Sequence, residues 1–136
     1  MRVICIIGLP SSGKTTYMNN LLITEVDIFD DVSVGKGPSD FMEYLTGCDG
    51  EHVTAMVTDV ALCVQATRDD FEYCVKSLHP LAMFKYICFE NDPKQCLINA
   101  KNRNDGREVE NTIRSMAKVY TYPEGAEIIP VWKPNV

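Results

Sequence analysis

The sequence predicts an α/β domain, a parallel sheet of about five strands covered by helices on both faces. Three observations predict it. Short β-branched apolar runs alternate with segments of helical spacing along the chain. The first run, Val3-Ile4-Cys5-Ile6-Ile7, is apolar throughout, as a strand buried on both faces must be. It passes directly into a glycine-bearing octapeptide, Gly8-Leu9-Pro10-Ser11-Ser12-Gly13-Lys14-Thr15, and then into a helical pattern. Neither repeat, linker nor low-complexity tract interrupts the alternation, so residues 1–136 read as one domain.

The elements follow in order. The octapeptide opens a helix expected from Gly13 to Leu22. Glu25 to Phe29 reads as a second strand, ended by Asp30-Asp31, and Gly35-Lys36-Gly37-Pro38 marks a loop from Val32 to Ser39. A short helix from Ser39 carries Phe41, Met42 and Leu45 toward Gly47. His52 to Thr58 is a third strand, ending at Asp59. Thr67-Arg68-Asp69-Asp70 has the form of a capping box and starts a helix carrying Phe71, Cys74 and Leu78, closed by Pro80. Met83 to Phe89 is a fourth strand. Asp92-Pro93 then supplies a cap and a first-turn proline for a helix through Leu97 and Ile98. Asn102 to Gly106 is a polar break, after which Glu108 to Tyr120 resumes helical spacing with Val109, Ile113, Met116 and Val119. Ala126 to Trp132 is a last strand, placed near an edge by Pro130, and Trp132 reads as a packing residue.

Composition bounds the function. The net charge of -6 excludes broad binding to duplex phosphates, which needs clustered Lys and Arg, but permits one local basic patch. The six cysteines form no CxxC pair and no zinc-ligand spacing, so they read as small buried hydrophobes in a reducing compartment. The apolar N-terminus is too short for a signal-peptide core, and no stretch reaches the length of a membrane span. A cytosolic protein with no membrane partner is expected.

Gly8 to Thr15 fits GxxxxGK[ST] without a mismatch, between a buried strand and a helix where that motif must lie. Glycines let the backbone curl so that successive N–H groups form an anion nest, and the helix adds the positive end of its dipole. Gly8, Pro10, Ser11, Ser12, Gly13, Lys14, Thr15 and Thr16 are therefore expected to hold ATP. Lys14 can reach the β- and γ-phosphates, and Thr15 offers its hydroxyl to Mg2+.

Other residues decide the class. Asp59, ending the third strand, could hold magnesium through water, or could simply cap a turn. No NKxD guanine signature is present, and the chain is too short for the added elements of motor ATPases. Asp30 and Asp31 end the second strand at the rim where ligands bind in an open α/β sheet, so one of them could take a proton from an attacking hydroxyl. Lys101, Arg103, Arg107, Arg114 and Lys118 form a basic run in an acidic protein. Arg103 and Arg107 flank the Asn104-Asp105-Gly106 break and suit a lid over the phosphates. Arg114 and Lys118 read either as part of that lid or as surface charge balanced by Glu108 and Glu110.

On two segments the sequence resembles the 5′-kinase domain of phage polynucleotide kinases and their small P-loop relatives. These are Ile6 to Thr16, and Phe89-Glu90 through Asn102-Arg103 to Ile113-Arg114-Ser115-Met116. The resemblance implies a P-loop NTPase fold and transfer of the ATP γ-phosphoryl to a hydroxyl. It implies Lys14 on the donor, Asp30 or Asp31 as the base, Arg103 on the donor phosphates, and Thr15 with Asp59 at the metal. It also implies a polynucleotide 5′-hydroxyl as acceptor, hence a single-stranded nucleic-acid end as partner. Where the family has an acceptor-side arginine three residues after the base, this chain has Ser33, and Ala61 replaces a usual asparagine. Lys36 or Arg68 is the expected substitute for the missing charge. Two other readings use the same donor site: a nucleoside or nucleoside-monophosphate kinase with its base pocket around Phe41–Leu45, and a nucleotide-binding regulator with little catalysis.

Overall fold

The structure, a computed structural model, describes residues 1–21, 26–30, 40–50, 52–103, 106 and 108–134. Five parallel strands, β1 (Arg2–Ile7), β2 (Val26–Asp30), β3 (Thr54–Thr58), β4 (Met83–Phe89) and β5 (Glu127–Ile129), form one sheet in the order β2-β3-β1-β4-β5. Among the described residues five α-helices connect them: α1 (Lys14–Asn20), α2 (Asp40–Gly47), α3 (Gln65–Leu78), α4 (Pro93–Arg103) and α5 (Glu110–Val119). Among the described residues no helix is long and apolar enough to cross a membrane.

The central position of β1 follows from its composition. Every residue from Val3 to Ile7 is buried, because β3 lies on one side, β4 on the other, and helices cover the sheet. The outer strands are less apolar. β2 exposes Asp27, Ile28 and Asp30, and charges on an edge discourage pairing with another chain. An aromatic series crosses the molecule from β2 through α2 and α3 to β4. Phe29 meets Phe41 at 5.1 Å, Phe41 stacks on Phe71 at 5.5 Å, and Phe71 meets Phe84 edge-on at 6.2 Å. Such pairs add about 0.5–1.5 kcal/mol each beyond their buried area. Phe41 and Leu45 are only 2% and 1% exposed, so these two side chains of α2 face the core.

Three boundary differences from the sequence reading matter for the site. The capping box at Thr67 is not used. A 3-10 turn over Val60–Cys63 leads straight into α3, which starts at Gln65 when the Arg68 N–H reaches the Val64 carbonyl. Arg68 thereby falls inside the helix and is buried. Its guanidinium donates to the Leu62 carbonyl at 2.8 Å and to Thr121 Oγ1 at 2.9 Å, tying the 3-10 turn to the segment after α5. A guanidinium spent on internal partners cannot serve an acceptor phosphate, so Arg68 does not replace the missing arginine. The polar break expected from Asn102 starts later, because α4 includes Asn102 and Arg103. β5 stops at Ile129, where Pro130 has no N–H for the ladder and the Trp132 N–H turns instead to the Ser12 carbonyl at 3.0 Å. Glu25, the 31–39 loop with Asp31, Ser33 and Lys36, and Arg107 lie outside the described residues.

All six cysteines are free thiols; Cys5, Cys63, Cys88 and Cys96 are buried, and Cys48 and Cys74 are partly exposed. Burial pushes the Cys63 thiol up to about 12 and that of Cys96 to about 11. A thiol reagent at about pH 8 is therefore expected to modify Cys48 and Cys74 in the native protein, and the other four only after unfolding. Rapid native reaction at Cys63 or Cys96 would contradict this packing.

Candidate active site

The carboxyl ends of the strands bring the sequence-predicted groups together. Gly8 follows β1, Asp59 follows β3 and Asp30 ends β2. Asp30 is in register with Thr58, and Thr58 with Ile6, so the two carboxylates stand at the ends of neighbouring strands beside the Gly8–Thr15 loop. In an open α/β sheet, ligands bind in the crevice outside these ends.

The loop owes its shape to a few close approaches. Ser11 has φ 63 and Gly13 φ 105, two left-handed residues within three positions that curl the chain into the concave form of an anion nest. A Cβ on Gly8 would stand 2.5 Å from Ser12 Oγ, so only glycine lets that serine fold over the strand end. Lys14 opens α1 and turns back over the loop, where its Nζ donates to the Gly8 and Leu9 carbonyls at 2.8 Å each. Burial holds the Lys14 ammonium below its usual 10.5, while Asp30 and Asp59 are among the groups that favour its charge. An ammonium poor in solvent and close to open loop amides is arranged to gain from an incoming polyanion.

Asp59 is 4% exposed, and its Oδ1 accepts from the Ala61 N–H at 2.8 Å. That bond caps the 3-10 turn and also fixes the carboxylate in place, so both sequence-level alternatives for Asp59 are compatible. Thr15 is exposed at the start of α1. A hydroxyl and a carboxylate are hard oxygen donors of the sort magnesium takes, usually with several waters retained. Two more hydroxyls at the site, Ser12 Oγ and Thr58 Oγ1, are buried without a hydrogen-bond partner among the described residues. Buried orphans of this sort mark places where an absent ligand or water completes the bonding.

Arg103 ends α4 and its Nη1 donates to Ser11 Oγ at 3.3 Å, on the loop itself. Arg114 instead makes an ion pair with Glu110 at 2.9 Å along α5, as a solvated helix face does. On the far side of Gly13, Tyr17, Phe89 and Trp132 line an open cleft of about 610 Å3 together with Thr16, Asn20 and Pro130.

No family model matches the chain. It is similar to "Uncharacterized protein R277" of Acanthamoeba polyphaga mimivirus, with 31% identity over 109 residues that make up 79% of this chain and 76% of the relative. The chain belongs to the family of that mimivirus protein. Its fold is also that of a solved kinase. The crystal structure of a gluconokinase from Sinorhizobium meliloti 1021 matches with a TM-score of 0.59 at 11% identity, over 97% of this chain and 83% of that one. The five-stranded parallel sheet with its helices is the P-loop NTPase fold expected from the sequence.

In this family member, two residues at the site escaped sequence reasoning. Trp132 was expected only to pack, yet it walls the cleft next to the loop, and a Cβ on Gly13 would come within 2.6 Å of its own Cβ. Asn99 carried no motif signal at all. It is 4% exposed, and its amide reaches the Ser11 and Trp132 carbonyls. The one available hint was a polar side chain four residues before Arg103, on the same helical face.

Proposed function

We propose that the chain is an ATP-dependent phosphotransferase that moves the γ-phosphoryl to a hydroxyl acceptor. One observation carries this reading: Lys14, on a loop curled by two left-handed residues, lies within the electrostatic reach of Asp30 and Asp59 at the carboxyl ends of β2 and β3. Lys14, Thr16 and backbone amides of the Gly8–Thr15 loop hold the phosphates of ATP, and the cleft walled by Tyr17 and Trp132 takes the base. Thr15 and, through water, Asp59 would hold Mg2+, which when bound neutralises charge on the phosphates. Asp30 orients the acceptor hydroxyl and receives its proton. The new acceptor O–P bond forms in line as the bond from Pγ to the β-phosphate oxygen breaks, and ADP leaves. Arg103 and, by its place in the lid sequence, Arg107 stabilise the developing charge.

The favoured acceptor is a polynucleotide 5′-hydroxyl, on the strength of the resemblance in Ile6–Thr16 and in the segment ending at Met116. A second reading, a small hydroxyl compound or nucleoside, gains from the burial of Arg68, which leaves the acceptor side without that cation. Incubation with γ-labelled ATP and a panel of 5′-hydroxyl DNA and RNA oligomers, nucleosides, nucleoside monophosphates and sugar acids separates the two. Label on an oligomer supports the first reading, and label on a small acceptor the second. ATP bound with no labelled acceptor would move the protein to the nucleotide-binding regulators.

Asp30→Asn keeps the shape of the side chain and removes its basicity. Transfer is expected to fall on the order of 10²- to 10⁴-fold, with ATP affinity changed little. Single-turnover transfer beside equilibrium ATP binding measures both. Unimpaired transfer would remove Asp30 from the mechanism.

A further inference from the structure

Asn99 lies in the middle of α4, outside every motif, yet its carboxamide is bonded on both sides. Nδ2 donates to the Ser11 carbonyl at 3.0 Å and to the Trp132 carbonyl at 2.8 Å, and Oδ1 accepts from Gln95 Nε2 at 2.9 Å. Its two donor protons therefore join residues that are 88 and 33 positions away in the chain. A buried amide with both protons committed to backbone carbonyls is a rigid strut, because releasing either bond would leave an unsatisfied carbonyl.

Each end of the strut belongs to a different part of the donor site. Ser11 is the non-glycine left-handed residue of the phosphate loop, and a loop carbonyl facing inward would repel phosphate. Its bond to Asn99 holds that oxygen against α4. Trp132 is held through both of its peptide groups, its N–H on the Ser12 carbonyl and its own carbonyl on Asn99, while its indole walls the cleft. One turn further along α4, Arg103 reaches Ser11 Oγ. Any shift of Trp132 on entry of a base is thus passed to the loop and to the arginine-bearing end of α4.

We propose that Asn99 is a positioning residue that makes occupancy of the Trp132 cleft and of the phosphate loop cooperative, so that the loop is set for a triphosphate when a base is in place. The inference rests on the donor-site reading given above. Asn99 touches neither nucleotide nor acceptor and acts through Trp132 and Ser11.

Trp132 is the sole tryptophan, so its fluorescence reports on the cleft directly. Adenosine, inorganic tripolyphosphate and ATP are titrated into the wild type, Asn99→Asp and Asn99→Leu. Tripolyphosphate is also titrated in the presence of saturating adenosine. In the wild type, adenosine is expected to tighten tripolyphosphate binding roughly tenfold, a common size for coupling between sites. In both variants each fragment still binds within a few-fold of wild type, but the tightening is lost and ATP affinity falls by that factor. A merely structural role would weaken both fragments alike and leave their ratio unchanged, and that outcome overturns the proposal. Absence of coupling in the folded wild type overturns it too, without reference to any variant. Wild-type protein that binds neither ATP nor tripolyphosphate would instead fail the donor-site reading itself.

Discussion

Lys14→Ala is expected to lower phosphoryl transfer on the order of 10³-fold, the scale seen when a preorganised charge-stabilising group is removed. The residue stands where two demands meet. Its ammonium is buried and depressed below 10.5 by that burial, and it is tied to the Gly8 and Leu9 carbonyls at 2.8 Å. Deleting it removes a poorly solvated charge, which stabilises, and frees two loop carbonyls, which destabilises by about 1 kcal/mol each. The two effects oppose, so the melting temperature should stay within a few degrees of wild type while transfer collapses. Labelled γ-phosphate transfer and a thermal melt on the same preparation test both halves. A folded variant with full activity would end the assignment of this loop as the donor site.

Gly13→Ala is expected to damage the fold itself. The residue has φ 105 and ψ 18 at the N-cap of α1, a conformation that costs an L-residue about 1–2 kcal/mol. A Cβ there would also lie 2.6 Å from Trp132 Cβ and 3.4 Å from Cγ, a clash that pushes a packed side chain aside at a further cost of about 1–3 kcal/mol. The sum, about 3 kcal/mol, corresponds to a fall of roughly 10 °C in melting temperature for a chain of this size. Because the wall that must move is Trp132, the change should also alter the fluorescence of the sole tryptophan in the folded variant. An unshifted melt with wild-type emission would mean that Trp132 does not pack on Gly13.

The two substitutions differ in how far they could be foreseen. Lys14 is legible because its place follows from spacing alone: strand, glycine turn, lysine and helix are contiguous, and local backbone geometry puts the amine over the loop. The same holds for α4, where Asp92 Oδ1 accepts the Gln95 N–H at 3.1 Å and Pro93 occupies the first turn, as the dipeptide predicts. β1 was legible because burial on two faces demands an unbroken apolar run, here Val3 to Ile7, whereas β4 carries Lys85 and is fully buried only from Ile87 to Phe89. The clash at Gly13 was not legible. It depends on Trp132, 119 positions away, which reaches the loop only because β5 ends at Pro130 and the Trp132 N–H finds Ser12.

Arg68 shows the same division from the other side. Its sequence neighbours Thr67 and Asp70 carry a sound helix-start signal, yet the helix begins earlier because the 3-10 turn after Asp59 already supplies the first carbonyls. Tertiary bonds to Leu62 and Thr121 then outweigh the local cap, and the residue leaves the surface. What the sequence by itself determined is the fold class, the glycine-bearing loop from Gly8 to Thr15 and the strand-end carboxylates, all of which rest on periodicity and on contacts between near neighbours. Only the tertiary structure decided that Arg68 is internal, that Trp132 walls a cleft and that Asn99 joins that cleft to the loop. Those roles arise from hydrogen bonds and packing between segments 33 to 120 residues apart, and no local pattern in the chain encodes such a meeting.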